Sequence, residues 1–235
     1  MSLSHNKGTG KIVTFSYHSL TLQQVGRLVY LLQVHCDEKA MSASDSSPQS
    51  ARDRLLGAAR VLFYNDGIAA TGIDAIIKRA GVAKKSLYNN FESKAELVAT
   101  YIEIRHDEWL QLYASRLKNA VTPKEKVLAV FQAYDDHAEF SYERGFRGCG
   151  LLNAAAELPA GAPGRVAVRG HKEQVEAIVT AHLCELFPAD EARAQLMARH
   201  FSFLLEGAIS RAGLEGNGRC VRQAMAMAAE MMEAS

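Results

Sequence analysis

Lys84, Lys85, Ser86, Tyr88 and Asn89 stand within six consecutive positions, and their chemistry suits a phosphate backbone and the edges of bases. Lysine serves phosphate or guanine, asparagine pairs adenine through two hydrogen bonds, and serine and tyrosine hydroxyls suit phosphate oxygens. The same five residues would also make an ordinary solvated helix face. What decides between the two is the set of elements that holds them.

Those elements announce themselves by their starts. Ser50 with Asp53, Thr71 with Asp74, Ser93 with Glu96 and Thr122 with Glu125 each put a hydroxyl at an N-cap and a carboxylate three residues later. The hydroxyl accepts from an NH of the first turn, and the carboxylate reaches back and favours the positive helix end. Pro123 falls at a first helical position, where its missing NH costs nothing. Leu55, Leu56, Ala59, Leu62 and Phe63 then form one apolar stripe, which Gly67 is expected to end in a left-handed conformation. Ile73, Ile76, Ile77 and Ala80 form a second stripe, closed by Gly81. A short third helix follows over 83–90, with Val82, Leu87 and Phe91 inward and the five polar residues outward. The Gly81-Val82 separation is the turn length that crosses two helices steeply and lets the later one enter a major groove.

The segments Arg54–Phe63, Gly67–Thr71, Ile76–Phe91 and Ser93–Leu97 together resemble the N-terminal domain of TetR-family transcriptional regulators, over roughly Arg54 to Tyr101. The resemblance implies that Thr71 and Gly72 open a helix abutting the phosphate backbone. Lys84, Ser86, Tyr88 and Asn89 then lie on the recognition helix, and Lys94 matches a position that commonly contacts phosphate. Lys85 stands where the family usually has Gly, and Asn89 where it often has His. Lys85 is therefore added to the DNA-contacting set, and the operator sequence is not transferable from relatives.

Charge follows the same division. Residues 51–100 hold eight Lys/Arg against five Asp/Glu, a net of +3, and residues 101–235 hold fifteen against eighteen, a net of −3, within a whole of +1. A basic head on an acidic body is what a protein meeting phosphate at one end requires. Three units are expected: an extension over 1–49, a DNA-binding head over 50–100 and a helical body over 101–235. The chain reads as all-α, with body helices near 93–119, 123–143, 150–158, 164–187, 189–212 and 218–233. The resemblance makes this body a ligand-binding and dimerisation domain.

Within the body, Leu196, Met197, Phe201, Phe203, Leu204, Leu205, Ala208 and Ile209 make a broad apolar face, followed by Met225, Met227, Met231 and Met232. The last two helices are the candidate homodimer interface, two pairs forming a four-helix bundle. An earlier zone mixes aromatic and polar groups: Trp109, Tyr113, Phe131, Tyr134, His137 and Phe140, then Asn153, Glu157 and His171. That composition suits a small-molecule pocket, although most such residues in any helical body are plain core or surface. Asn153 and Glu157 are four apart and are expected to point inward together.

Other chemistry finds no support. Cys36, Cys149, Cys184 and Cys220 lack ligand spacing, and scattered thiols without secretory features suit a reducing cytoplasm. Cys149 reads as a small structural cysteine or an exposed redox sensor. His171 and His182 are eleven apart, not the i, i+4 of a helical ligand pair. No catalytic, metal or cofactor site is expected. Leu20–Val34 is apolar-rich but interrupted by Arg27 and too short to span a bilayer. Met41 opens a Ser-rich segment that would make an ordinary family N-terminus, so the residues before it read as an alternative-start extension or an added arm. The expected protein is a cytoplasmic homodimeric repressor released from double-stranded DNA by a small ligand. The alternative gives the body a protein partner in place of the ligand.

Overall fold

A computed structural model describes residues 49–233, so the expected extension, Cys36 and the question of an arm lie outside the described residues apart from position 49. Among the described residues every regular element is a helix. In chain order they are α1 (Ala51–Asp66), α2 (Ile73–Ala80), α3 (Lys84–Asn90), α4 (Lys94–Leu117), α5 (Pro123–Ala138), α6 (Gly150–Ala156), α7 (Pro163–Leu186), α8 (Glu191–Glu215) and α9 (Arg219–Glu233).

Two of the four expected capping boxes form in full, at Ser50 with Asp53 and at Thr122 with Glu125. At α4 only half of one forms: Ser93 accepts from the Glu96 NH, while the Glu96 carboxylate accepts from the Glu92 NH at 2.6 Å. The Thr71 expectation is overturned. Its side chain is buried and donates to the Gly67 carbonyl at 2.6 Å, closing the turn after α1, and Gly72 takes the N-cap of α2 with no side-chain bond. Gly67 has a positive φ of 90° but an extended ψ of 162°, outside the expected left-handed well.

The first three helices share a core of Leu55, Ala59, Phe63, Ile76, Ala80, Leu87 and Phe91. Two arginines of α1 fix the crossing of the others. Arg54 donates to the carbonyl of Gly81, the left-handed residue between α2 and α3, and Arg52 donates to the carbonyl of Asn90 while lying over the Phe91 ring. Both bonds satisfy carbonyls orphaned at helix C-termini.

α4 belongs to both units: Leu97 and Val98 enter the head core, and Trp109, Tyr113 and Leu117 enter the body core. In the body α7 is central, packing against α4, α5, α6 and α8, and α9 lies across α5 and α8. α5 ends at Ala138, five residues before the expected 143. Beyond it Tyr142 turns back so that its hydroxyl meets Arg105 at 3.2 Å and its ring stacks on Tyr64 at 4.2 Å. α8 instead runs three residues past the expected 212, through Gly213, to the left-handed Gly216. Gly213 serves close approach, because a Cβ there would lie 2.7 Å from Gly148 Cα and 2.8 Å from Gly148 N.

This contact predicts an asymmetry between two glycines of α8. Gly213→Ala lowers stability by about 1–3 kcal/mol, the usual cost of overpacking against backbone. Gly207→Ala, whose Cβ would meet nothing within 4 Å, raises it by up to about 1 kcal/mol through helix propensity. Thermal and urea unfolding check this; equal effects would show that the Gly148 contact carries no strain.

Candidate nucleic-acid interface and body cavity

On α3, Leu87 is buried and Lys84, Lys85, Tyr88 and Asn89 are exposed, with Ser86 half-buried beside them. Tyr88 keeps 54% of its surface in solvent, a large aromatic that the head leaves uncovered. Lys84 faces Asp74 of α2 at 3.3 Å, an exposed pair of small energetic weight that leaves the ammonium available. Gly72 is exposed at the start of α2, beside the buried Thr71. Lys94 differs from the others, for its ammonium donates to the Ile68 carbonyl at 2.6 Å and helps close the turn between α1 and α2.

That turn is also where the body holds the head. The Glu157 carboxylate accepts from the Ile68 NH at 3.1 Å and the Ala69 NH at 2.7 Å. A Cβ at Gly67 would lie 2.7 Å from the same carboxylate. Arg147 donates to the carbonyls of Tyr64 and Asn65, and the Tyr64 hydroxyl donates to the Gly148 carbonyl at 3.1 Å while accepting from the Arg147 NH at 2.7 Å. The ion pairs Arg144 with Asp66 and Arg79 with Glu143 flank them.

Behind this junction lies a small cavity of about 10 Å³, no larger than a water site. Of the expected pocket residues, Trp109, Tyr134, His137 and His171 line it, joined by Arg105, Cys149, Gly150 and Leu151. The others are elsewhere. Tyr113 bonds His182 at 2.7 Å, and Phe131 packs edge-on to Phe201 in the apolar core. Phe140 is exposed under Arg60. Asn153 donates to the Arg147 carbonyl at 3.2 Å and Glu157 is turned to the head, so this pair serves the junction and does not point inward. Cys149 is buried, with its sulfur 3.9 Å from the Lys172 ammonium, which excludes the exposed-sensor reading.

Arg105 is the lining residue that sequence reasoning passed over. Its signal was available: Tyr101, Arg105 and Trp109 are spaced at i, i+4, i+8, which puts a cation on the buried stripe of α4. The guanidinium donates to Glu108 at 2.6 Å, His137 Nε2 at 2.7 Å and the Tyr142 hydroxyl at 3.2 Å. Burial opposes its charge, and Tyr142 and Glu108 more than restore it. Burial holds His137 neutral, helped by Arg105, Lys172 and Arg60, with its pKa down to about 3. His171 is likewise held well below the usual imidazole range by burial and by Lys172. Lys172 remains charged against burial, paired with Glu206 at 2.8 Å and donating to the Tyr134 hydroxyl.

A short exposed basic helix set across a partner by a tight turn, on a head joined to a helical body, is the architecture of a helix-turn-helix domain. Residues 55–101 match the model of the bacterial regulatory proteins of the tetR family. The transcriptional repressor KstR2 of Mycolicibacterium smegmatis is 35% identical over 88 residues, covering 37% of this chain and 43% of that protein. The transcriptional activator FasR of the same organism is 32% identical over 96 residues, covering 41% and 43%. The matches thus span less than half the length of either relative. SCO4454, a TetR-family regulator of Streptomyces coelicolor, is 29% identical with a TM-score of 0.69 over 77% of this chain and 93% of that one. Residues 55–101 thus carry the head of the tetR family of bacterial regulatory proteins, and the chain as a whole is similar in fold to a TetR-family regulator.

The neutral histidines give a signed pH prediction. Their folded pKa lies below the unfolded 6.5, so the unfolded chain takes up protons that the folded one refuses, and stability is full above 6.5 and lost as pH falls below it. His137 and His171 each contribute roughly 1.4 kcal/mol per pH unit below 6.5. Unfolding midpoints measured between about pH 7.5 and 5 check this, and a flat profile would contradict the neutral assignment.

Proposed function

We propose that the protein is a homodimeric transcription regulator of the cytoplasm that binds operator DNA through α3 and lets go when a small molecule enters the body. The observation that carries the DNA-binding part is the exposed set Lys84, Lys85, Tyr88 and Asn89 on a helix whose opposite residue, Leu87, is locked in the head. Lysines supply affinity through phosphate and Asn89 supplies base choice. The start of α2 at Thr71 and Gly72 offers backbone NH groups to phosphate. Lys94 acts through the turn it closes.

Dimerisation through α8 and α9 is supported by large apolar side chains that the single chain leaves in solvent: Leu196 at 60%, Phe203 at 65%, Leu214 at 90% and Met227 at 53%. A two-fold pairing there would set the two copies of α3 about 34 Å apart, one turn of DNA. Repression is the favoured output, and the relatives include both a repressor and an activator. The narrowness of the cavity favours, as a second reading, a protein partner for the body. Release of DNA by small-molecule extracts from which protein has been removed supports the first reading; release only by the protein fraction supports the second.

Three variants separate the DNA roles. Lys85→Ala weakens binding to all sequences and reduces the slope of log affinity against log salt by about 1, and Asn89→Ala relaxes base choice, at a cost of about 1–3 kcal/mol at one position. Lys94→Ala lowers affinity with the slope unchanged. Titrations across salt concentrations, on an operator first selected as bound fragments from a genomic library, check all three; a reduced slope in Lys94→Ala would restore a direct phosphate contact. Glu157→Ala likewise lowers operator affinity about three- to tenfold, roughly 0.7–1.4 kcal/mol, with an unchanged slope. Unchanged operator affinity at this variant would contradict its place in the junction.

A further inference from the structure

Arg105 is the one charged side chain among the residues that line the cavity. Glu108 is shared between Arg105 at 2.6 Å and Arg60 at 2.9 Å, and Glu206 answers Lys172 at 2.8 Å. Arg60 comes from α1 with 39% of its side chain in solvent, so within the body two cations stand against two carboxylates, and Arg105 shares its carboxylate with a second guanidinium. The other Arg105 nitrogen that bonds here, Nη2, is met only by neutral acceptors, His137 and the Tyr142 hydroxyl. A carboxylate at Nη2 would turn a charge-assisted hydrogen bond into an ion pair, with the geometry that suits a guanidinium fork.

A second observation is independent of charge. Trp109 is 4% exposed and lines the cavity, and its indole NH is buried with no acceptor among the described residues. A buried donor left unpaired costs about 1–3 kcal/mol, so a bound acceptor recovers more than an ordinary hydrogen bond. The remaining walls are flat and apolar: Trp109 lies 5.5 Å from the Tyr134 ring and 5.3 Å from the His171 ring, with Leu151 beside them.

Resting on the small-molecule reading above, we propose that the effector is a small organic carboxylate with a flat apolar body. The carboxylate displaces His137 and Tyr142 from Arg105 and accepts from the Trp109 NH, and the body lies against Tyr134 and Leu151. The held-neutral His137 suits the role of a partner that leaves without abandoning a charge. The 10 Å³ cavity requires the walls to part, and the segment carrying Tyr142 and Cys149 is the one tied to the head through Gly148 and Arg147.

Trp109 is the only tryptophan in the chain, so its fluorescence reports on this cavity directly. The full-length protein is titrated with phenylacetate, phenethyl alcohol and phenethylammonium, which share one ring and differ in head-group charge. Phenylacetate is expected to bind at least about tenfold tighter than either of the others, a difference of about 1.4 kcal/mol. Arg105→Met brings the three within about twofold, and Arg105→Lys keeps the anion ahead of the cation. Should the arginine variants misfold by circular dichroism, the ranking on the unaltered protein decides alone. Equal or tighter binding of the alcohol or the ammonium overturns the carboxylate while leaving a small-molecule site. No response to any of the three overturns both the carboxylate and the cavity as an effector site.

Discussion

A carboxylate from the body holds two backbone NH groups of the head, and the placement of the exposed helix α3 depends on it. Glu157 meets Ile68 and Ala69 in the turn that follows α1. A helix end leaves carbonyls and the following turn leaves NH groups that must be satisfied, and here the body satisfies both kinds, with Arg147 taking the carbonyls of Tyr64 and Asn65. The head therefore does not hang on a flexible linker. It is fixed by α4, which runs through both cores, and by this second attachment, so a shift of α6 relative to α4 would pull on the turn that leads to α2 and α3.

The cavity sits where such a shift would begin. Gly150, the first residue of α6, lines it, and a Cβ there would fall 3.3 Å from Arg105 Nε and 3.2 Å from the Tyr101 hydroxyl. Arg105 in turn lies over the Tyr64 ring, which stacks on Tyr142 and anchors Gly148. The Gly148–Gly213 contact ties the same loop to α8, one of the helices of the proposed dimer face. Cavity, head and dimer face thus meet in one short segment. A ligand changes DNA binding only by preferring one of its geometries, because without differential affinity no population moves.

Much of this was legible in the sequence. Helix starts at Ser50 and Thr122 and the Gly81 turn are local chemistry, written in adjacent residues, and they form as expected. Thr71 shows the limit of such reasoning: its hydroxyl had a competing carbonyl nine residues or fewer behind it, which no N-cap pattern reveals. The end of α5 was missed because Tyr142 is recruited by Arg105 and Tyr64, both distant in sequence. Aromatic and polar composition located half of the cavity lining but misassigned Phe131, Tyr113, Asn153 and Glu157, since a periodic stripe says which side faces inward and not which of several neighbours it meets. Glu157 looked like a pocket carboxylate and is the clasp on the head.

The coupling between cavity and head is tested most directly by amide hydrogen exchange in Gly150→Ala, whose Cβ presses on Arg105 of the cavity wall and on the Tyr64 ring through which that wall meets α1. Faster exchange at the Ile68 and Ala69 amides, with the Leu87 amide on α3 unchanged, is the result this account predicts. Unchanged protection at Ile68 and Ala69, alongside altered operator binding, would contradict it and place the coupling elsewhere.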